Sequence, residues 1–146
     1  MKTFKFSSIA LALLLLTVVA KADKPKNRTA FTMKFSIASF IDADTRGICK
    51  GLSDIIDDNA KFNMMRSGQT LSFTKQQVVK QMEHLRGVAQ NCTTTFNLME
   101  TYGNYALYKV EMKYPTFSRI NYITMNECKD GWKITNVTSV FTAPNS

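Results

Sequence analysis

The sequence predicts an α+β domain, and three observations carry that prediction. Apolar residues recur at helical spacing between residues 31 and 56 and again between 75 and 87. From residue 93 to 141 they follow the period of a strand. The breaks between the late stretches hold turn chemistry, "YGN", "PT" and "KDG". The resulting order is two helices, a hairpin, a helix and a four-strand antiparallel meander, with helices segregated to one side of a curved sheet.

The elements follow in order. Lys2 and Lys5 precede an apolar run from Ile9 to Ala20, and Ala20-Lys21-Ala22 offers small residues at the spacing signal peptidase prefers. Residues 1–22 thus read as a secretory signal peptide cleaved near Ala22, which places the protein in a secreted or periplasmic compartment. The run of 12 residues is shorter than the roughly 20 of a membrane-spanning helix, so no stable membrane span is expected; an uncleaved anchor is the alternative. Residues 23–30 form a flexible basic tail, and residues 31–146 a single domain.

Phe31, Met33, Phe35, Ile37, Ala38, Phe40 and Ile41 cover a broad arc of a first helix ending near Ala43. Asp44 suits the N-cap of a short second helix carrying Ile48, Leu52, Ile55 and Ile56. "AKFNMM" and "TLSF" flank "RSGQ" as two short strands around a glycine turn. Thr74 caps a third helix with Val78, Met82 and Leu85 as its apolar stripe and Gly87 as its stop. Strands are expected at Thr93 to Thr101, Tyr105 to Tyr114, Phe117 to Glu127 and Trp132 to Phe141.

The formal charge of +8 falls mostly in the signal and the tail: from Phe31 onward there are 13 Lys and Arg against 10 Asp and Glu. The balance points to no nucleic-acid partner. Cys49, Cys92 and Cys128 lie 43 and 36 residues apart, spacings that fit no zinc module, so neither metal nor cofactor is implied. An odd count allows one bridge and a free thiol, three free thiols, or an intermolecular link. Asn27, Asn91 and Asn136 are glycosylation sequons that matter only in a cell that glycosylates.

This order of elements, with "IIDDNAKF" after the second helix and "GWKITNV" opening the last strand, resembles the nuclear transport factor 2-like superfamily, in its secreted SnoaL-like or lumazine-binding-like branch. The resemblance covers the whole mature chain. It implies a cone-shaped fold, with three N-terminal helices on a strongly curved, mixed, mostly antiparallel six-strand sheet and a pocket between helices and sheet. Members include isomerases, dehydratases, cyclases, ligand binders and non-enzymatic partners, and commonly dimerise through the sheet, so fold alone does not settle function.

Strand parity then selects the pocket residues. Across Tyr114-Pro115-Thr116-Phe117, even positions of one strand share a face with odd positions of the next. Ala106, Tyr108, Val110, Met112 and Tyr114 therefore lie beside Phe117, Arg119, Asn121, Ile123 and Met125, on the more apolar and hence helix-covered side. The same parity across the last turn adds Trp132, Ile134, Asn136, Thr138 and Val140. An inward arginine needs a partner, because an isolated buried charge is costly. Asp42 is the expected one, unless Arg119 snorkels at the rim. The sharper reading makes Arg119, Asn121, Tyr108, Asn136 and Thr138 the polar patch of a mostly apolar pocket for a small apolar or carboxylate-bearing ligand, with Asp42 and Trp132 beside it.

No catalytic residue is assigned. His84 is the only histidine and lies off the apolar stripe of its helix; Asp57 and Asp58, adjacent in sequence, point apart. There is no nucleophile triad order, phosphate loop or zinc motif. The expected function is a ligand-binding or accessory module. The alternative is an isomerase, dehydratase or cyclase acting on a small apolar carbonyl compound through Asp42 and Tyr108. The opposite sheet face, with Leu107, Ile120, Tyr122, Val137 and Phe141 among charged residues, is the expected homodimer surface.

Overall fold

The computed structural model describes residues 30–143; the expected signal peptide and nearly all of the basic tail lie outside them. Helix α1 (Met33–Arg46) is capped by the Thr32 hydroxyl, which accepts the Phe35 N–H at 3.1 Å. Its inner side buries Ile37, Phe40, Ile41 and Ala43. Strands β1 (Ile56–Arg66) and β2 (Gln69–Thr74) form the hairpin. Helix α2 (Lys75–His84) starts in a full capping box: the Thr74 hydroxyl accepts the Gln77 N–H, and the Gln77 side chain accepts the Thr74 N–H. Strands β3 (Thr93–Tyr102), β4 (Tyr105–Lys113), β5 (Ser118–Cys128) and β6 (Gly131–Thr142) complete a mixed sheet of six strands in the order β2-β1-β6-β5-β4-β3, with β1 and β6 parallel.

The described residues contain two α-helices, not three. Asp44 is no cap, because α1 runs through it to Arg46. Gly47 (φ 65°) then ends the helix, and its N–H bonds back to the Asp42 carbonyl. Gly51 (φ 73°) interrupts the next stretch, leaving only a single 3-10 turn at Leu52–Ile55 before β1 begins. Leu52, Ile55 and Ile56 are still buried, as their apolar character demands.

The register of β4 against β5 is the one parity predicts: Met112 faces Arg119, Val110 faces Asn121 and Tyr108 faces Ile123. The partnership of β5 with β6 begins as expected, with Glu127 opposite Trp132 and Met125 opposite Ile134. The register then slips, because Thr124 pairs with Asn136 and Thr135 is left as the extra residue. The Thr135 hydroxyl donates to Asn126 Oδ1 at 2.8 Å, which holds the bulge in place. Beyond it the faces exchange. Val137, Ser139 and Phe141 turn to the helix side, and Asn136, Thr138 and Val140 turn away.

Candidate ligand-binding site

A cavity of about 690 Å³ lies between α1, α2, the β1–β2 hairpin and the ends of β5 and β6. Such a volume lies within the range of small-molecule pockets. Its inner wall is apolar: Phe40 from α1 lies against Phe62 from β1, ring centroids 6.3 Å apart, with Phe73, Met64 and Val137 alongside. Val78 and Met82 of α2 and Leu85 at its C-cap form the facing wall, so the stripe that suggests a core helix in sequence instead borders a space. Gln77, Gln81, Leu85 and Val88 are exposed lining residues and mark the open side.

One polar cluster interrupts this wall. Arg119 Nη2 donates to Asp44 Oδ2 at 2.8 Å, and the two side chains are only 16% and 9% exposed. Asn121 Nδ2 donates to the same carboxylate oxygen at 3.3 Å, while Asn121 Oδ1 accepts from the Ser139 hydroxyl at 2.7 Å. Arg119 Nη2 also lies 2.8 Å from Met112 Sδ, and Arg119 Nε is buried with no acceptor. The pair therefore cancels charge without satisfying every donor of the guanidinium.

The cluster is fixed from the outside as well. After α2 the chain crosses the end of α1: the Gly87 N–H donates to the Gly47 carbonyl at 3.0 Å and the Gln90 N–H to the Thr45 carbonyl at 2.8 Å. Gln90 Nε2 donates to the Asp44 carbonyl, and the Tyr114 hydroxyl donates to Gln90 Oε1. Burial pushes the Tyr114 phenol up to about 12. Tyr114 thus acts as a neutral donor that steadies Gln90.

The expected site residues divide sharply. Arg119 and Asn121 point inward and meet at the cavity floor, as parity predicts. Asp42 does not reach Arg119: two residues along a helix turn the side chain by about 200°, so it points to the side nearly opposite Asp44, and its carboxylate pairs with Arg46 at 3.1 Å, partly exposed. Asp44, two residues on, is the partner. Tyr108 is on the predicted face but does not border the cavity; its ring lies 6.4 Å from Phe96, and burial raises its phenol. Trp132 packs against the core at the Phe31 end, where its carbonyl accepts the Ser36 hydroxyl at 2.7 Å. Asn136 and Thr138 lie on the opposite face because of the bulge, and there Asn136 accepts from Asn63 Nδ2 at 3.3 Å. Val137 and Ser139 take their place at the cavity.

The comparison with solved structures fits this architecture. A nuclear transport factor 2-like protein of unknown function from Silicibacter pomeroyi superposes with a TM-score of 0.62 at 16% identity, over 73% of this chain and 90% of that one. The chain has the nuclear transport factor 2-like fold. A second such protein of unknown function, from Methylobacillus flagellatus, gives a TM-score of 0.61 at 14% identity, over 74% of this chain and 87% of that one. A nuclear transport factor 2-like protein from Cytophaga hutchinsonii gives 0.57 at 12%, over 74% of this chain and 92% of that one. No family model and no curated protein matches the sequence. At these identities the nuclear transport factor 2-like likeness carries the fold and no activity.

Among the described residues no group of acidic, histidine or cysteine side chains is arranged to hold a metal ion, and no helix is long and apolar enough to cross a membrane. The three thiols are unbridged: Cys49 is buried, Cys92 half-buried and Cys128 exposed. His84 is exposed at the end of α2, and Asp58 pairs with Lys75 at 2.7 Å on the surface.

Proposed function

We propose that this chain is a small-ligand-binding or accessory module that takes an apolar compound into the cavity and orients it on the Arg119 cluster. One observation carries the reading. Among the described residues the only carboxylate bordering the cavity, Asp44, is committed to Arg119 and Asn121, and the nearby tyrosine, Tyr114, donates to Gln90 instead. A base for proton abstraction needs a carboxylate with a free oxygen poised on substrate and a donor to steady the developing charge. An ion pair with amide neighbours suits recognition better than chemistry.

The test is a thermal-shift screen of small apolar carbonyl compounds on the wild type and on Val78→Trp, which fills the cavity from α2. Binding to the folded state alone raises Tm with ligand concentration. A rise in the wild type that is lost in Val78→Trp is expected. An equal rise in both would place binding elsewhere.

The same reading makes the protein an exported one of the secreted SnoaL-like or lumazine-binding-like branch, and a homodimer through the helix-free sheet face. Val137 and Phe141, which sequence parity assigns to that face, turn to the helix side instead. The surface left for the dimer is Leu107, Ile120, Tyr122 and Val140, all half-buried. Light scattering on the wild type and on Tyr122→Glu tests it: a dimer that becomes a monomer is expected, and a wild-type monomer would remove the dimer. Recovery of a mature chain beginning at Asp23 from the exported fraction tests the signal.

A further inference from the structure

Resting on the ligand-binding reading above, we infer that the cavity selects neutral oxygen-bearing ligands, such as ketones, amides or alcohols, over carboxylates of the same skeleton. The reason is charge balance. Among the described residues Asp44 and Arg119 are the only charged ones bordering the cavity, and they are paired at 2.8 Å. The other polar lining groups, among them Gln77, Gln81, Gln90 and Ser139, are neutral. The floor therefore presents donors with no net positive charge.

A carboxylate entering this space loses its water against aromatic and aliphatic walls and meets a guanidinium already neutralised, with the Asp44 oxygens beside it. Its negative charge has nothing to set against the loss. A neutral carbonyl or hydroxyl oxygen brings no charge and needs only a donor. The guanidinium still has one to give: Nη2 is engaged with Asp44 and Met112, whereas the Nη1 hydrogens have no protein acceptor among the described residues. A lone arginine in a ligand pocket suggests an anion, but the buried Asp44 reverses that preference.

The experiment is displacement of the neutral reporter N-phenyl-1-naphthylamine by decanamide and by decanoate near neutral pH. In the wild type, decanamide is expected to compete about tenfold or more better than decanoate. Asp44→Asn removes the negative charge at constant shape and should narrow or reverse that ratio. Gln81→Lys adds a positive charge on the exposed side of the cavity without touching the pair, so it moves the ratio the same way even if Asp44→Asn fails to fold. Equal or tighter binding of decanoate to the wild type overturns the inference and leaves ligand binding intact. A ratio unchanged in the folded variants overturns it too. No reporter binding and no competition at all would overturn the binding reading itself, and this inference with it.

Discussion

Replacing Asp44 with alanine should destabilise the domain far more than replacing Asp42, although only two residues separate them. In Asp44→Ala the Arg119 guanidinium, 16% exposed, stays where it is and loses its counter-ion. The Asn121 amide, in a residue 2% exposed, loses its acceptor at the same time. Removing one partner of a buried pair costs roughly 3–5 kcal/mol, and the residual solvent access here argues for the lower end, about 3 kcal/mol. For a domain of this size that is a fall of about 10 °C in Tm. The Asp42 to Arg46 pair is 39% and 63% exposed, so Asp42→Ala should cost only about 0.3–0.5 kcal/mol. Urea denaturation of both variants measures the difference. Adding Arg119→Met to Asp44→Ala removes the stranded charge and should recover about 2 kcal/mol of the sum of the single effects. Equal costs for the two aspartates, or strict additivity of the Asp44 and Arg119 changes, would refute a coupled pair at the cavity floor.

Other outcomes follow from the same geometry. A Cβ at Gly47 would lie 2.5 Å from the Gly87 nitrogen and 2.6 Å from the Leu85 carbonyl oxygen, so Gly47→Ala should cost about 3 kcal/mol. Gly51 has nothing within 4 Å of its Cβ position, and Gly51→Ala should cost only the left-handed strain, about 1 kcal/mol; denaturation midpoints compare them. In a thiol titration of the folded protein Cys128 should react first, and Cys49 only on unfolding, because burial and the Glu83 carboxylate raise its thiol. The Tyr114 phenol, raised by burial to about 12 from 10.0, keeps its proton in the folded state after the unfolded chain has lost it. Its contribution to stability is therefore complete below pH 10 and lost as pH rises towards 12, and Tyr114→Phe should flatten the alkaline limb of stability against pH.

How much of this was legible in the sequence depends on the kind of signal. Period-two alternation and turn residues placed all six strands to within a few residues, and the four-residue link from Tyr114 to Phe117 carried parity correctly from β4 into β5. Arg119 and Asn121 were therefore found. The bulge at Thr135 was not, since it needs no glycine and is held by a threonine hydroxyl and an asparagine side chain. It moved Asn136 and Thr138 out of the site, brought Ser139 in, and took Val137 and Phe141 off the proposed dimer face. A trace of it is present in the chain: the buried residues Ile134 and Val137 are three apart, where an unbroken strand would space them by two.

Asp44 reads in sequence as an N-cap, because aspartate suits that position and the helical spacing from Ile48 onward invites a new helix. Gly47 and Gly51 carried the opposing signal, that of a helix stop followed by a break. Gln90 left no pattern to read, as its role depends on how the segment after α2 folds back over α1. The cavity itself was hidden for a general reason. Val78, Met82 and Leu85 form the same stripe whether a helix closes a core or borders a space, and only the distance to the opposite wall decides between them.

The most direct test of a ligand site at the Arg119 cluster is a methyl and side-chain amide NMR titration with decanamide. Shifts are expected at Val78, Met82, Met64 and Val137 and at the Asn121 amide, all bordering the cavity, with Asn136, Thr138 and Trp132 unmoved. Shifts centred on Trp132 or on the helix-free face of the sheet, with the cavity methyls still, would contradict it.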